Sequence, residues 1–147
     1  MTHLLDTNAC IQMLRNPATS SVAQHLATTK LGSVGLCSIV KAELFYGAER
    51  SNHPEQGYNR LEHFFESFDS LHFDDRAAIE YGVLRKHLEV GGQTIGPNDL
   101  LIAAISLSND LTLVTHNVAN SVECPACDGE TGTGPIFGGE RFLELTN

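Results

Sequence analysis

The sequence predicts an α/β fold, a short and mainly parallel central sheet flanked by helices, and three observations carry that prediction. Short apolar runs of strand length alternate with longer segments of helical periodicity, and strands separated by helices pair in parallel through right-handed crossovers. The stretch from Leu100 to Leu107 is almost wholly apolar, which describes a helix buried on most sides rather than an amphipathic surface helix. Acidic residues fall at strand ends and helix starts, the edge where open parallel sheets present chemistry to solvent.

Taken in order, His3-Leu4-Leu5-Asp6 is a first strand ending in a carboxylate. Thr7-Asn8 supplies cap chemistry for a brief helix, Ala9 to Arg15, which Asn16-Pro17 ends. A second helix is expected from about Ser21 to Thr28, and a second strand from Ser33 to Cys37. Ser38 is a cap for the helix Ile39 to Glu49, whose apolar positions Val40, Leu44, Phe45 and Ala48 keep helical spacing while Glu43 sits about one turn in. Asn52-His53-Pro54 then opens a helix to Phe68 with Tyr58, Leu61, Phe64, Phe65 and Phe68 on its core face. Leu71-His72-Phe73 is the expected third strand, and Asp74 or Asp75 caps a helix through Val90 that Gly91-Gly92 closes. Pro97 suits the first position of the next helix, which puts Asp99 in its first turn, where negative charge meets the positive helix end. Asn109-Asp110 ends that helix, and Leu111 to Thr115 is a buried strand with His116-Asn117 just past its end.

At 147 residues and 41% hydrophobic content the chain is sized for one compact domain with a real core. No segment approaches the roughly 18 apolar residues of a membrane span, and Met1 to Arg15 lacks the basic start and cleavage site of a signal peptide, so a cytoplasmic protein away from membranes is expected. The four cysteines are too few and too uneven for a disulfide scaffold. A formal charge of −9 argues against a surface that grips nucleic acid nonspecifically, because that work is done by Lys and Arg clusters. A nuclease remains compatible with it, provided metal ions or a basic partner offset the repulsion.

Asp6, Glu43, Asp99 and Asn117 are thus each placed at the carboxy-terminal edge of the sheet, and together they suggest one acidic pocket. Crowded carboxylates raise one another's pKa unless a cation compensates. Mg²⁺, with Mn²⁺ as a substitute, is the natural compensator, because hard cations take oxygen ligands and keep waters that a substrate phosphate can replace. Such a metal polarises a phosphodiester and activates water for in-line attack.

Leu5-Asp6-Thr7-Asn8, Glu43-Leu44-Phe45-Tyr46-Gly47, Gly96-Pro97-Asn98-Asp99-Leu100-Leu101-Ile102-Ala103-Ala104 and Leu113-Val114-Thr115-His116-Asn117 resemble the motifs of PIN-domain ribonucleases, specifically the VapC toxins of bacterial toxin–antitoxin pairs. The resemblance implies a PIN-like three-layer domain over residues 1–120 and a Mg²⁺-dependent endoribonuclease, often acting on transfer RNA. It implies a homodimer inhibited by a VapB-type antitoxin, as a heterotetramer or larger assembly that meets DNA only through the antitoxin. By the same resemblance Asp6 and Asp99 match the principal metal ligands, and Glu43 matches a third acid, a ligand directly or through water. Asn117 stands where many relatives place a fourth acid, and Thr7 and Thr115 would orient carboxylates or water.

The pattern departs after Asn117. Residues 121–147 form an atypical tail, either part of the domain or partly disordered, in which Ile136-Phe137 or Phe142-Leu143 would have to supply the last strand. Cys124 and Cys127 have the spacing of half a zinc ribbon without the other half, and Cys10 and Cys37 look like packing residues. His116 is a neighbour of the pocket rather than a ligand. Lys41, Arg50, Arg85 and Lys86 are the candidates for phosphate contacts. Receiver-type and dehalogenase-type readings both want a second acid soon after the first strand, where Thr7-Asn8 stands. The remaining rival is a PIN domain that has lost catalysis and survives as an antitoxin- or partner-binding protein.

Overall fold

A computed structural model describes residues 1–20, 22–24, 32–115 and 142–144. The elements are β1 (His3–Leu5), α1 (Thr7–Arg15), β2 (Val34–Cys37), α2 (Ser38–Glu49), α3 (Pro54–Phe65), β3 (Asp69–Leu71), α4 (Asp75–Val90), α5 (Pro97–Ser108), β4 (Thr112–Thr115) and β5 (Phe142–Glu144). The strands form one sheet in the order β3-β2-β1-β4-β5, and every neighbouring pair is parallel. The expected α/β class is therefore borne out. From β1 the chain steps outward through β2 to β3 and then returns to the other flank of β1 with β4, so the winding reverses between β1 and β4. A crevice opens at such a reversal, outside the carboxy ends of the strands.

Local chemistry sets most boundaries where the sequence places them. α1 starts at Thr7, two residues ahead of the expected Ala9, because Asp6 and not Thr7-Asn8 caps it, its side chain accepting from the Ala9 N–H at 2.6 Å. Asp74 does the same for α4, accepting from the Ala77 N–H at 2.9 Å. Gly92, with φ +66°, turns the chain out of α4 in the left-handed conformation that favours glycine. Pro97 opens α5. Ser106 and Ser108, buried in that apolar helix, satisfy their hydroxyls on the carbonyls of Leu111 and Ile105 at 2.7 and 3.1 Å.

Several details differ from expectation. β3 runs Asp69–Leu71, ahead of the expected Leu71-His72-Phe73, because the backbone ladder pairs Gly35, Leu36 and Cys37 with Asp69, Ser70 and Leu71. On this edge strand the ladder, not the side-chain pattern, sets the register, and Phe73 instead packs its ring edge-on against Tyr81. α3 stops at Phe65, and the turn that follows brings Phe68 back within 5.0 Å of the Phe64 ring. Tyr58 is half-buried rather than core, stacked on Phe45 at 5.1 Å with its hydroxyl donating to Glu49. Ser38 is the first residue of α2 and Cys37 is its cap position. Of the expected helix from Ser21 to Thr28, residues 22–24 are helical and the rest lies outside the described residues. Phe142-Leu143 lies in β5, which pairs with β4, while Ile136-Phe137, Cys124 and Cys127 lie outside the described residues.

The core joins Leu4, Leu5, Leu36 and Val114 of the sheet to Ala9, Cys10, Val40, Ile102 and Ile105 of the helices. Each fully buried Leu, Ile or Val contributes about 1.5–3 kcal/mol. α4 packs along α5, and α2 against α3. Gly82 sits inside α4, exposed, with open space where a side chain would stand. Gly82→Ala is expected to stabilise the protein by about 0.5–1 kcal/mol, since alanine loses less backbone entropy in a helix. A urea titration checks this, and a lower midpoint in the variant would contradict it.

Candidate active site

The crevice beside β1 and β4 collects three acids from three elements. The Asp6 backbone N–H donates to the Val114 carbonyl at 3.0 Å, which fixes the end of β1 against β4. Its carboxyl is 7% exposed and is hydrogen-bonded to the Ala9 N–H and the Thr115 side chain. Burial pushes its pKa up from the ordinary 3.8, the hydrogen bonds from Thr115 and the Ala9 N–H pull the other way without overcoming it, and the charge of Asp99 adds to the rise.

Asp99 stands in the first turn of α5, half-buried. Its pKa is also raised, by burial first and then by the charge of Glu43. Gly96, the residue that caps this helix, matters here: a Cβ at that position would come within 2.8 Å of the Asp99 Oδ2 atom. A glycine is what lets the carboxylate fold back over the start of its own helix.

Glu43 projects from α2 and is held at both oxygens. The Thr7 hydroxyl donates to Oε2, and the Asn98 Nδ2 amide donates to Oε1 at 2.9 Å. Asn98 was legible in the sequence only as a first-turn residue. Its place beside Asp99 on α5 was visible there, but its partner on α2 was not.

The structure thus brings Asp6, Asp99 and Glu43 into one electrostatic neighbourhood, in which Asp6 feels the charge of Asp99 and Asp99 that of Glu43. Among the described residues no three His, Cys, Asp or Glu side chains form a ready-made cage. Asn117 and His116 lie outside the described residues. The donor set nevertheless fits a small hard divalent cation. All three groups offer carboxylate oxygen, two have pKa values raised by burial and like charge, and Mg²⁺ needs only one or two carboxylates because it keeps several waters. Asp6 and Asp99 suit direct contact, and Glu43, already engaged by Thr7 and Asn98, suits contact through water.

A parallel sheet with the winding reversed at its centre and acids gathered at the reversal defines a doubly wound α/β domain with an acidic site. Residues 3–119 match the PIN domain family model, and the chain belongs to that family. Within it the chain belongs to the VapC group. It is 34% identical over 125 residues to ribonuclease VapC2 of Rickettsia felis, covering 85% of this chain and 93% of that protein. It is 36% identical over 114 residues to the tRNA(fMet)-specific endonuclease VapC of Shigella flexneri, covering 78% and 85%. Among solved structures, a chain in the crystal structure of DNA-bound VapBC from Salmonella typhimurium superposes with a TM-score of 0.78 at 32% identity, covering 85% of this chain and 93% of that one. Among the described residues no helix is long and apolar enough to cross a membrane.

Proposed function

We propose that this protein is a Mg²⁺-dependent endoribonuclease, the toxin of a toxin–antitoxin pair, that hydrolyses RNA phosphodiester bonds at the crevice formed by Asp6, Asp99 and Glu43. The observation that carries the reading is that the charge of Asp99 acts on Asp6 and that of Glu43 on Asp99 at the sheet's reversal point, in a chain of the VapC group. Bound Mg²⁺ supplies charge neutralisation at the phosphate and a more acidic water for in-line attack. The chain's own groups do the placing. Asp6 is locked by the Ala9 N–H and Thr115, Asp99 by the start of α5, and Glu43 by Thr7 and Asn98. Mn²⁺, with the same preference for oxygen ligands, substitutes.

Transfer RNA is the substrate class favoured by the name of the Shigella flexneri relative. A VapB-type antitoxin as inhibiting partner is supported by the VapBC complex of the Salmonella typhimurium relative, and the charge of −9 suits a basic partner. A homodimer is supported by Ile79, Val83 and Val90, large apolar residues exposed at helical spacing along α4. Purified protein incubated with total RNA is expected to release discrete fragments with Mg²⁺ or Mn²⁺ and none with EDTA. Cleavage that persists in EDTA and in the Asp99→Asn variant would overturn the reading. Antitoxin binding without cleavage would leave the protein as a partner-binding PIN domain.

A further inference from the structure

Resting on that reading, a second feature of α2 deepens it. The helix buries Val40, Leu44 and Ala48, and a different stripe faces outward. Glu43, Tyr46 and Arg50 fall three, four and seven residues apart, so they share one face of the helix, and the outer end lies about 10 Å along the axis from Glu43. Tyr46 is 64% exposed, unusual for so large an apolar ring, and Arg50 is exposed with its guanidinium 5.7 Å from the centre of that ring. Gly47, between them, has open space where a side chain would stand. The stripe is continuous with the acidic crevice through Glu43.

Two of the other three phosphate candidates are engaged elsewhere, and the third, Lys86, lies on α4. Arg85 is paired with Glu89 at 2.9 Å, and the Lys41 ammonium lies 5.1 Å over the Phe65 ring. Arg60 and Arg76 donate to the carbonyls of Leu14 and Ser108. In a chain of net charge −9, Arg50 is, among the described residues, a cation at helical spacing from Glu43 on α2. We propose that the Tyr46–Arg50 face of α2 holds the nucleotide neighbouring the scissile phosphate of single-stranded RNA, its base stacked on the Tyr46 ring and its phosphate on the Arg50 guanidinium. An exposed ring can take only an unstacked base, which specifies a loop or single strand rather than a duplex. The aromatic surface accepts any base, so this face supplies affinity and positioning and leaves sequence choice to other contacts.

The test separates binding from chemistry. In an Asp99→Asn background, which removes cleavage, fluorescence anisotropy measures binding of a labelled single-stranded RNA oligonucleotide. In the otherwise native chain, kcat and KM are measured with Mg²⁺. Tyr46→Ala is expected to weaken binding and raise KM by about 5- to 100-fold, the range for loss of one base stack, and Tyr46→Phe to restore both. Arg50→Ala is expected to lower the slope of log affinity against log salt by about one. Both side chains are exposed, so melting is expected to stay unchanged. Unaltered binding, KM and salt slope in these variants would overturn the proposal and leave the face to a protein partner. Failure of the native chain to cleave or bind RNA at all would instead overturn the nuclease reading, and this proposal with it.

Discussion

Asp6→Asn is expected to reduce Mg²⁺-dependent RNA cleavage by at least about a hundred-fold and, in the same protein, to raise the stability of the ion-free fold at neutral pH. Both effects have one cause. Asn keeps the short oxygen that caps α1 through the Ala9 N–H, so the helix start survives. What it loses is a buried negative charge facing Asp99. Because the folded pKa of Asp6 lies above the ordinary 3.8, the folded state holds that proton more tightly than the unfolded state does. The stability tied to the bound proton is fully present below the unfolded pKa and is lost as pH rises through the folded pKa. Asp99, raised in the same sense, adds to the loss.

At neutral pH the ion-free native protein therefore carries the whole penalty, and a divalent cation relieves it. Melting curves in EDTA from acid to neutral pH are expected to show stability falling less steeply for Asp6→Asn than for the native chain. Added Mg²⁺ is expected to raise the melting temperature of the native chain well above its effect on the variant, as for any ligand that binds only the folded state. An Asn variant less stable than the native chain at every pH, or stabilised equally by Mg²⁺, would contradict the placement of charge at this position.

Leu5→Ala is expected to cost about 2–5 kcal/mol, a large share of the roughly 5–15 kcal/mol that holds a domain folded. Leu5 is fully buried in β1, paired through its backbone to Val114 of β4, and immediately precedes Asp6. Truncation leaves a cavity in the middle of the sheet, where strands on both flanks limit collapse. Denaturant titration measures the loss, and a change below about 1 kcal/mol would mean that the core is not continuous across β1. The expected consequence for function is secondary: activity per folded molecule falls less than the folded fraction does, because Asp6 is also fixed by its own backbone bond to Val114.

The site was legible where it depends on local rules. Asp6 as the end of a strand, Asp99 in a first turn behind proline and Glu43 one turn into a helix each follow from chain neighbours alone, and the structure places Asp6 and Glu43 each within electrostatic reach of Asp99. Gly96 and Asn98 show what local rules miss. Gly96 leaves room for Asp99 Oδ2, and Asn98 is tied to a residue on another helix. β3 was displaced for a related reason. An edge strand lacks the two buried faces that make side-chain alternation decisive, so its backbone ladder with β2 chose the register.

The amino-acid sequence by itself determined the α/β class, the cap of α4 at Asp74 or Asp75, the buried character of α5 and the three acids at the sheet's edge, because periodicity and capping are settled between residues a few positions apart. Only the tertiary structure decided the strand order, the reversal between β1 and β4, the clamp of Thr7 and Asn98 on Glu43 and the joining of Phe142–Glu144 to β4. Those are choices among distant partners, and they are made by backbone pairing and close packing in three dimensions, which no local pattern encodes.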